Sequence, residues 1–386
     1  MQNMPFPRML PVRQSFPQSR PLDIRAVLRD EFAKVLPRLK PGMRIAVGVG
    51  SRGITNLQII VRKVLELLKT AGAHPFIIPA MGSHGGATPE GQREILEGYG
   101  VSEQNLGVPI RASMEVKLLG RTQDEVEVYG SVEALKADGI VLVNRVKPHT
   151  DFRGKLGSGL MKMLAIGLGK RAGAAHFHIT ASRFGYEPVI RSFARVVLQN
   201  APILCGVAIV ENQVHETAEL AVLKPAELER GEEELFARAK SLMPKLPFDD
   251  IDLLIVDRIG KNISGAGMDP NIIGRSVHGY SAFLGEKSQG SPAIRRIFAC
   301  DLTPETHGNA IGIGFADFTT TRLVNGMDKQ ATYVNALTAL TPNGAKIPLH
   351  FDTDREVLGH ALASLALKDV LQAKVVRIAD TLSLEH

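Results

Sequence analysis

Tryptophan is absent from this chain of 386 residues, and aromatic residues make up only 5% of it. Proteins that bind single-stranded nucleic acid need aromatic side chains on which bases stack. The formal net charge of +6 is also small for a chain of this length and suits small anions better than a polyanion. The composition therefore predicts no nucleic-acid partner.

Cysteine is nearly absent, and long apolar runs are absent altogether. The two cysteines, Cys205 and Cys300, are too few for a disulfide framework, which indicates a reducing compartment. No run of 18 apolar residues occurs, so no membrane partner is expected. The first twenty residues scatter arginine and proline and lack the apolar centre of a secretory signal. Together these features predict a cytoplasmic protein.

The chain is long for one hydrophobic core and alternates strand-like with helix-like segments. This alternation predicts two α/β domains with mostly parallel sheets, and we expect the active site in the cleft between them. A proline-containing break at residues 241–250 places the boundary: residues 1–247, rejoined by residues 373–386, form the N-terminal domain, and residues 248–372 the C-terminal one. Strands are predicted at residues 45–49, 75–79, 140–143, 203–210, 251–256, 297–300, 310–315 and 374–378. Helices are predicted at residues 56–70, 88–99, 188–199, 331–340 and 354–367.

A glycine-rich loop follows the first strand. Residues 48–53 read G-x-G-x-x-G between a strand and a helix, which is the context of a dinucleotide-binding fingerprint. The next strand does not end in the acidic residue that would bind a ribose, so the glycines equally suit a plain tight turn. Arg52 within the loop adds a guanidinium beside a helix N-terminus, a combination that suits a carboxylate or a phosphate.

Two histidines follow strands. His84 lies in a glycine-rich turn after the second strand, and His149 follows the strand at residues 140–143. Because the carboxyl ends of parallel strands open onto the ligand crevice, both imidazoles are candidates for one site. Two opposed bases are what a reaction on both faces of one carbon needs.

Residues 147–178 concentrate three histidines, four lysines and six glycines. Lys162 has apolar neighbours on both sides, which suits a nucleophile or an attachment point, although such a stem also packs structurally while its head reaches water. His176 and His178 would share a face on a strand but not on a helix. With His149 they are candidates for a zinc site.

These elements together resemble the nickel-pincer lactate racemase family: SRG at 51–53, SHGG at 83–86, PH at 148–149, GSGLMK at 157–162 and the histidine at 178. The resemblance implies a two-domain α/β isomerase. It also implies the nickel-pincer nucleotide, a nickel complex of pyridinium-3-thioamide-5-thiocarboxylate mononucleotide, as the cofactor. The implied activity is racemisation or epimerisation of a 2-hydroxy acid by transient hydride transfer to the cofactor pyridinium. Cofactor biosynthesis enzymes would then be partners, and the oligomeric state stays open.

The resemblance also implies roles for individual residues. His84 and His149 match the family's two catalytic histidines, and Lys162 matches the lysine that forms a thioamide tether to the cofactor. His178 matches the nickel ligand, with His176 as the alternative if the register shifts by two residues.

The substrate contacts follow the family less closely. Arg52 matches the arginine that contacts the bound anion near the cofactor. Residues 151–155 read as an insertion relative to the founding lactate racemases. In the second domain Lys261 and Arg275 stand where other substrate contacts are expected, and they suit either an anionic hydroxy acid or a solvated surface.

Three other interpretations stay open. One is an NAD-dependent dehydrogenase that uses the loop from Gly48 to Gly53. Another is a zinc-dependent hydrolase or lyase built on His149, His176 and His178. The last is an anion-binding protein without catalytic activity.

Overall fold

The computed structural model describes residues 5–17, 21–50, 53–150, 152–275 and 292–385. The contacts divide the chain into two compact units: residues 18–243, called the N-terminal unit, and residues 1–17 with 244–386, called the C-terminal unit. Within the described ranges, no helix is both long and apolar enough to cross a membrane. The fold confirms the predicted class of two α/β units with mostly parallel sheets.

The N-terminal unit is built on a five-stranded sheet in the order β2-β1-β5-β6-β7. Four strands are parallel, and β7 pairs antiparallel with β6. The strand bounds are β1 Arg44–Val49, β2 His74–Pro79, β5 Gly139–Arg145, β6 Ile203–Glu211 and β7 Thr217–Leu223. Every residue of β6 is buried, as expected for a strand covered on both faces.

Helices and one hairpin accompany this sheet. In α2 the buried residues recur at helical spacing, which explains why this segment forms a helix with one apolar face. Thr88 caps α3, because its side chain accepts the Gly91 amide and Pro89 occupies the first turn. The helices are α1 Ile24–Phe32, α2 Leu57–Thr70, α3 Pro89–Gly98, α4 Glu103–Leu106, α5 Val132–Leu135, α6 Leu160–Lys162, α7 Lys170–Phe184, α8 Tyr186–Asn200 and α9 Leu228–Ser241. A π-helical turn, Met163–Gly167, follows α6, and an antiparallel hairpin joins β3 Val116–Arg121 to β4 Glu127–Ser131.

The C-terminal unit has its own five-stranded sheet in the order β11-β10-β9-β8-β12, and all its pairings are parallel. The strands are β8 Asp250–Ile259, β9 Ala293–Leu302, β10 Phe318–Thr320, β11 Leu349–Phe351 and β12 Val375–Ile378. The helices are α10 Pro270–Ile273, α11 Thr321–Asn325, α12 Lys329–Thr338 and α13 Asp354–Ala363. A capping box at Thr353 and Glu356 begins α13.

Two expectations about this part of the chain are wrong. The tail does not rejoin the N-terminal domain, because β12 pairs with β8, and residues 1–17 also group with the C-terminal unit. The strand predicted at residues 310–315 is instead a turn that ends in the 3₁₀ helix Ile313–Phe315. Gly312 has a φ of +96°, and a Cβ there would overlap the carbonyl oxygen of Ala266, so the backbone leaves the extended conformation at this glycine.

Candidate active site

Loops of the N-terminal unit converge at the carboxyl edge of its sheet. Strand β1 lies between β2 and β5, so the loop with His84 and the loop with His149 emerge on either side of it. The structure thus confirms that both histidines follow parallel strands at one sheet edge, where α/β proteins bind ligands. Arg52, in the loop after β1, lies outside the described residues. At the start of that loop, a Cβ on Gly50 would lie 2.8 Å from Asn144 Oδ1, which shows how closely the β1 and β5 ends approach.

The chain folds back after β5 and brings Lys162 to His149. Lys147 and Ser158 form an antiparallel bridge with two backbone hydrogen bonds of 2.8 and 2.9 Å. Asn144 adds a side-chain hydrogen bond of 2.9 Å to the Gly159 carbonyl. A Cβ on Gly157 would overlap the Lys147 carbonyl, so this close return depends on glycine.

Lys162 and His149 are direct hydrogen-bond partners, joined through Nζ and Nε2. His149 is buried, with 7% of its surface exposed. An ammonium can only donate, so a charged Lys162 requires an imidazole that accepts at Nε2 and is therefore neutral. A neutral imidazole has one acceptor nitrogen, so in this contact Nε2 faces Lys162 and the other ring nitrogen, Nδ1, carries the proton.

An aromatic cluster, formed by Phe152, Phe177 and Tyr186, lies beside His149. The His149 ring stacks on Phe152 at 4.6 Å between centroids, and Phe152 stacks on Tyr186 at 5.0 Å with an interplanar angle of 6°. His178 meets the same Tyr186 edge-on at 6.2 Å. The rings fix the plane of the His149 imidazole, and Tyr186 contacts both His149 and His178.

His176 and His178 point to different sides of one helix. Both lie in α7, where residues two apart differ in direction by about 200°. His176 packs edge-on against Tyr129 of β4 at 5.2 Å, whereas His178 packs against the aromatic cluster. The structure therefore brings His178, and not His176, towards His149 and Lys162.

Glu232 is a site residue that sequence reasoning missed. Its carboxyl group is fully buried in α9 and accepts hydrogen bonds from the backbone amides of Leu160 and Met161, the latter at 2.8 Å. Burial raises its pKa to about 7, against the opposing effect of these amides. Glu232 therefore holds the start of the segment that ends in Lys162. The sequence does contain an indication of its burial, because Glu232 lies at helical spacing between Leu228 and Leu235 on the apolar face of α9.

The His84 turn rests on two other buried polar residues that the sequence reasoning did not select. His84 itself is exposed. Gln92 of α3 donates to the carbonyl oxygens of Gly82 and His84 at 2.8 and 3.2 Å. Lys170, only 1% exposed, donates to Gln92 Oε1 at 3.2 Å and to the Pro79 carbonyl at 2.5 Å. Burial lowers the pKa of Lys170 to about 8.

The remaining substrate candidates, Lys261 and Arg275, lie in the C-terminal unit. Lys261 Nζ donates to Asn335 Oδ1 at 2.5 Å. Arg275 donates to the Phe315 carbonyl at 2.8 Å and pairs with Asp317 at 2.8 Å. These contacts give Arg275 a structural role near its own sheet, and its contact with substrate stays a prediction.

The alternative interpretations gain no support from this geometry. Across the described ranges, no group of three or more His, Cys, Asp and Glu side chains is arranged to hold a metal ion. The zinc site proposed on His149, His176 and His178 is weakened further by the opposite directions of the last two. The strand that would supply an acidic ribose ligand ends at Pro79, so the dinucleotide interpretation still lacks that residue.

Comparison with known proteins gives two kinds of match. Residues 24–184 match the family model of the lactate racemase N-terminal domain. The whole fold is similar to the lactate racemase apoprotein from Thermoanaerobacterium thermosaccharolyticum, with a TM-score of 0.54, 16% identity, and coverage of 94% of this chain and 92% of that chain. It is also similar to a crystal structure of a protein from Thermotoga maritima, with a TM-score of 0.56, 12% identity, and coverage of 94% and 100%. None of the curated proteins matches the chain.

Proposed function

Because residues 24–184 match the family model of the lactate racemase N-terminal domain, we propose that this chain is a racemase or epimerase of a 2-hydroxy acid. The observation that carries the proposal is the Lys162–His149 contact at the carboxyl edge of the sheet, together with Tyr186, which contacts both His149 and His178. These contacts support the roles that the resemblance implies for the three residues, namely tether, base and metal ligand.

The two histidines after β2 and β5 are proposed as the acid–base pair. Inverting one carbon requires a group that takes the hydroxyl proton of one stereoisomer and a second group that does so for the other. His149 is the one with the better-defined position, because it is buried, stacked on Phe152 and held by Lys162. His84, at the end of the strand on the other side of β1, is the second.

The residues present fit the nickel-pincer nucleotide. Lys162 offers an amine for a thioamide tether, and His178, which packs edge-on against Tyr186, offers an imidazole as a nickel ligand. Arg52 is proposed to contact the cofactor and the substrate carboxylate. When bound, the cofactor would supply a hydride acceptor, which no side chain of the chain provides.

The substrate is proposed to be a small 2-hydroxy acid. A carboxylate is recognised best by guanidinium and ammonium groups, which Arg52, Lys261 and Arg275 contribute as candidates. We further propose that the protein acts in the cytoplasm and that the enzymes of cofactor biosynthesis load it.

The test is intact mass and metal content of the protein co-produced with the pincer biosynthesis enzymes. We expect nickel together with an adduct that maps to Lys162. The loaded protein should then interconvert the stereoisomers of at least one 2-hydroxy acid in a screen by chiral chromatography. Lys162→Ala should lose the adduct, whereas Lys155→Ala, an exposed lysine in the same segment, should keep it.

The loading enzymes are checked in parallel with a lactate racemase. If that control carries the cofactor while this chain carries neither nickel nor adduct, the proposed cofactor is wrong. Nickel without an adduct would retain His178 as a ligand and remove the covalent role of Lys162.

A further inference from the structure

The turn that carries His84 is built on a buried polar network rather than on apolar packing. Gln92 is fully buried, and its single amide group has partners on both ends. Its nitrogen donates to the carbonyl oxygens of Gly82 and His84, and its oxygen accepts from Lys170 Nζ. The Gln92 side chain thus connects the backbone of His84 to the buried amine of Lys170.

Two features of Lys170 reduce the stability of the folded protein. Its amine is withdrawn from water, and its hydrogen-bond partners among the described residues are the Pro79 carbonyl and Gln92 Oε1, neither of which is a carboxylate. Its backbone also adopts a φ of +53°, a conformation that residues other than glycine rarely take. Such costs persist where the surrounding structure imposes them, and functional sites are where they concentrate.

Backbone contacts hold the same turn from two further directions. The Gly82 amide donates to the Gly167 carbonyl at 3.2 Å, at the end of the π-helical turn that follows Lys162. A Cβ on Gly85 would lie 2.5 Å from the Gly91 carbonyl carbon, so the turn rests directly on the first turn of α3. His84 is therefore exposed at its ring but fixed at its backbone.

From this arrangement we infer that Gln92 and Lys170 are positioning residues that hold His84 in register with His149 for acid–base chemistry. The inference rests on the proposed function, because it assigns His84 a proton-transfer role. Lys170 orients the Gln92 amide by occupying its oxygen, which leaves the nitrogen free to fix the two carbonyls of the turn. Neither residue is a catalytic residue, since both act through the backbone of His84.

The discriminating variant is Gln92→Glu. The new carboxylate still accepts a hydrogen bond from Lys170, and its negative charge strengthens that bond. It cannot donate to the Gly82 and His84 carbonyls. If Gln92 serves only to satisfy Lys170, this variant should retain full activity. If it positions His84, kcat should fall by on the order of 100-fold with KM little changed, because a misplacement of about 1 Å can cost that much.

The second readout needs no cofactor. Hydrogen–deuterium exchange of the amides at residues 82–87 should accelerate about tenfold or more in Gln92→Glu, since the turn loses its buried donors. Thr122→Val serves as the matched control, because it removes a buried hydroxyl that accepts from the Val126 amide at the turn of the β3–β4 hairpin and does not bond to Gln92, Lys170 or the His84 turn. That control should change neither exchange at residues 82–87 nor kcat. If Gln92→Glu folds poorly, Gln92→Met replaces it as the test variant. Gln92→Met removes both donor and acceptor, and it should show the same fall in kcat and the same faster exchange.

The outcomes separate the inference from the proposed function. Unchanged exchange, or faster exchange with unchanged kcat, in a folded Gln92→Glu protein would overturn the inference. Failure of the loaded wild-type protein on every 2-hydroxy acid, beside an active lactate racemase, would instead overturn the proposed function. In that case the exchange rates alone decide whether Gln92 holds the turn.

Discussion

Glu232 gives a stability prediction whose size follows from its burial. Its pKa is raised from 4.5 to about 7, mainly because the charged carboxylate is removed from water. A pKa raised in the folded state means that the folded protein binds the proton more tightly than the unfolded chain. The stabilising contribution is therefore complete below pH 4.5 and is lost as the pH rises through about 7. A shift of this size corresponds to about 3 kcal/mol at about 1.4 kcal/mol per pKa unit.

Replacing Glu232 by Gln removes this titration and keeps an oxygen that accepts the Met161 amide. The unfolding free energy of Glu232→Gln minus that of the wild type should therefore increase by about 3 kcal/mol between pH 4.5 and pH 8. Urea unfolding at pH 4.5, 6, 7 and 8 measures it, with a probe that follows the N-terminal unit. Glu232 Oε1 has no hydrogen-bond partner among the described residues. In one of its two orientations, the Gln side chain would place its amide nitrogen at this position.

Glu234→Gln is the matched control on the same helix. Its carboxylate is 67% exposed and pairs with Arg230 four residues before it, so solvent screens this charge and the corresponding difference should stay flat with pH. A Glu232→Gln difference that is as flat as the control would refute the reasoning, because it would show that Glu232 titrates near its ordinary pKa.

Three further predictions follow from the same neighbourhood. Gly159→Ala should destabilise the N-terminal unit by about 1–3 kcal/mol in urea unfolding, since its Cβ would overlap Glu232 Oε1, and equal stability would contradict that contact. Tyr186→Leu should lower kcat by about tenfold or more through loss of the stack that orients His149, with thermal unfolding as the check that the protein remains folded. Burial depresses the pKa of Lys170 from 10.5 to about 8, so stability should rise with pH between these values; a Lys170→Met protein should lack that rise in urea unfolding at pH 8 to 10.5.

The parallel sheets were predictable because their strands are buried on both faces and read as continuous apolar runs. The strand of the N-terminal unit at residues 203–211 and the capped helix after Thr88 both lay close to the predicted bounds. The β3–β4 hairpin escaped prediction, because its pattern is mixed and one strand is partly exposed. The apolar residues near Gly312 predict a strand. The structure has a turn there, because Gly312 adopts a positive φ, which an apolar pattern does not indicate.

The candidate site was predictable only where single residues stand out. His84, His149 and Lys162 were found because histidines after strands and a lysine in an apolar segment are unusual. Glu232 and Gln92 were not, because they lie far along the chain or on another helix, and a buried polar side chain is recognisable only once its partners are known. Tertiary contacts, not local pattern, define this supporting set.

Helix α7 has one consequence for how the chain can vary. It begins at Lys170, which is anchored to the end of β2, and eight positions later it carries His178. At about 1.5 Å and 100° per residue, the helix separates these two points by about 12 Å and fixes the direction of the second imidazole. Inserting or deleting one residue between them would rotate His178 by about 100° away from Tyr186. Length changes should therefore be tolerated poorly in this helix, where the spacing itself carries the geometry of the site.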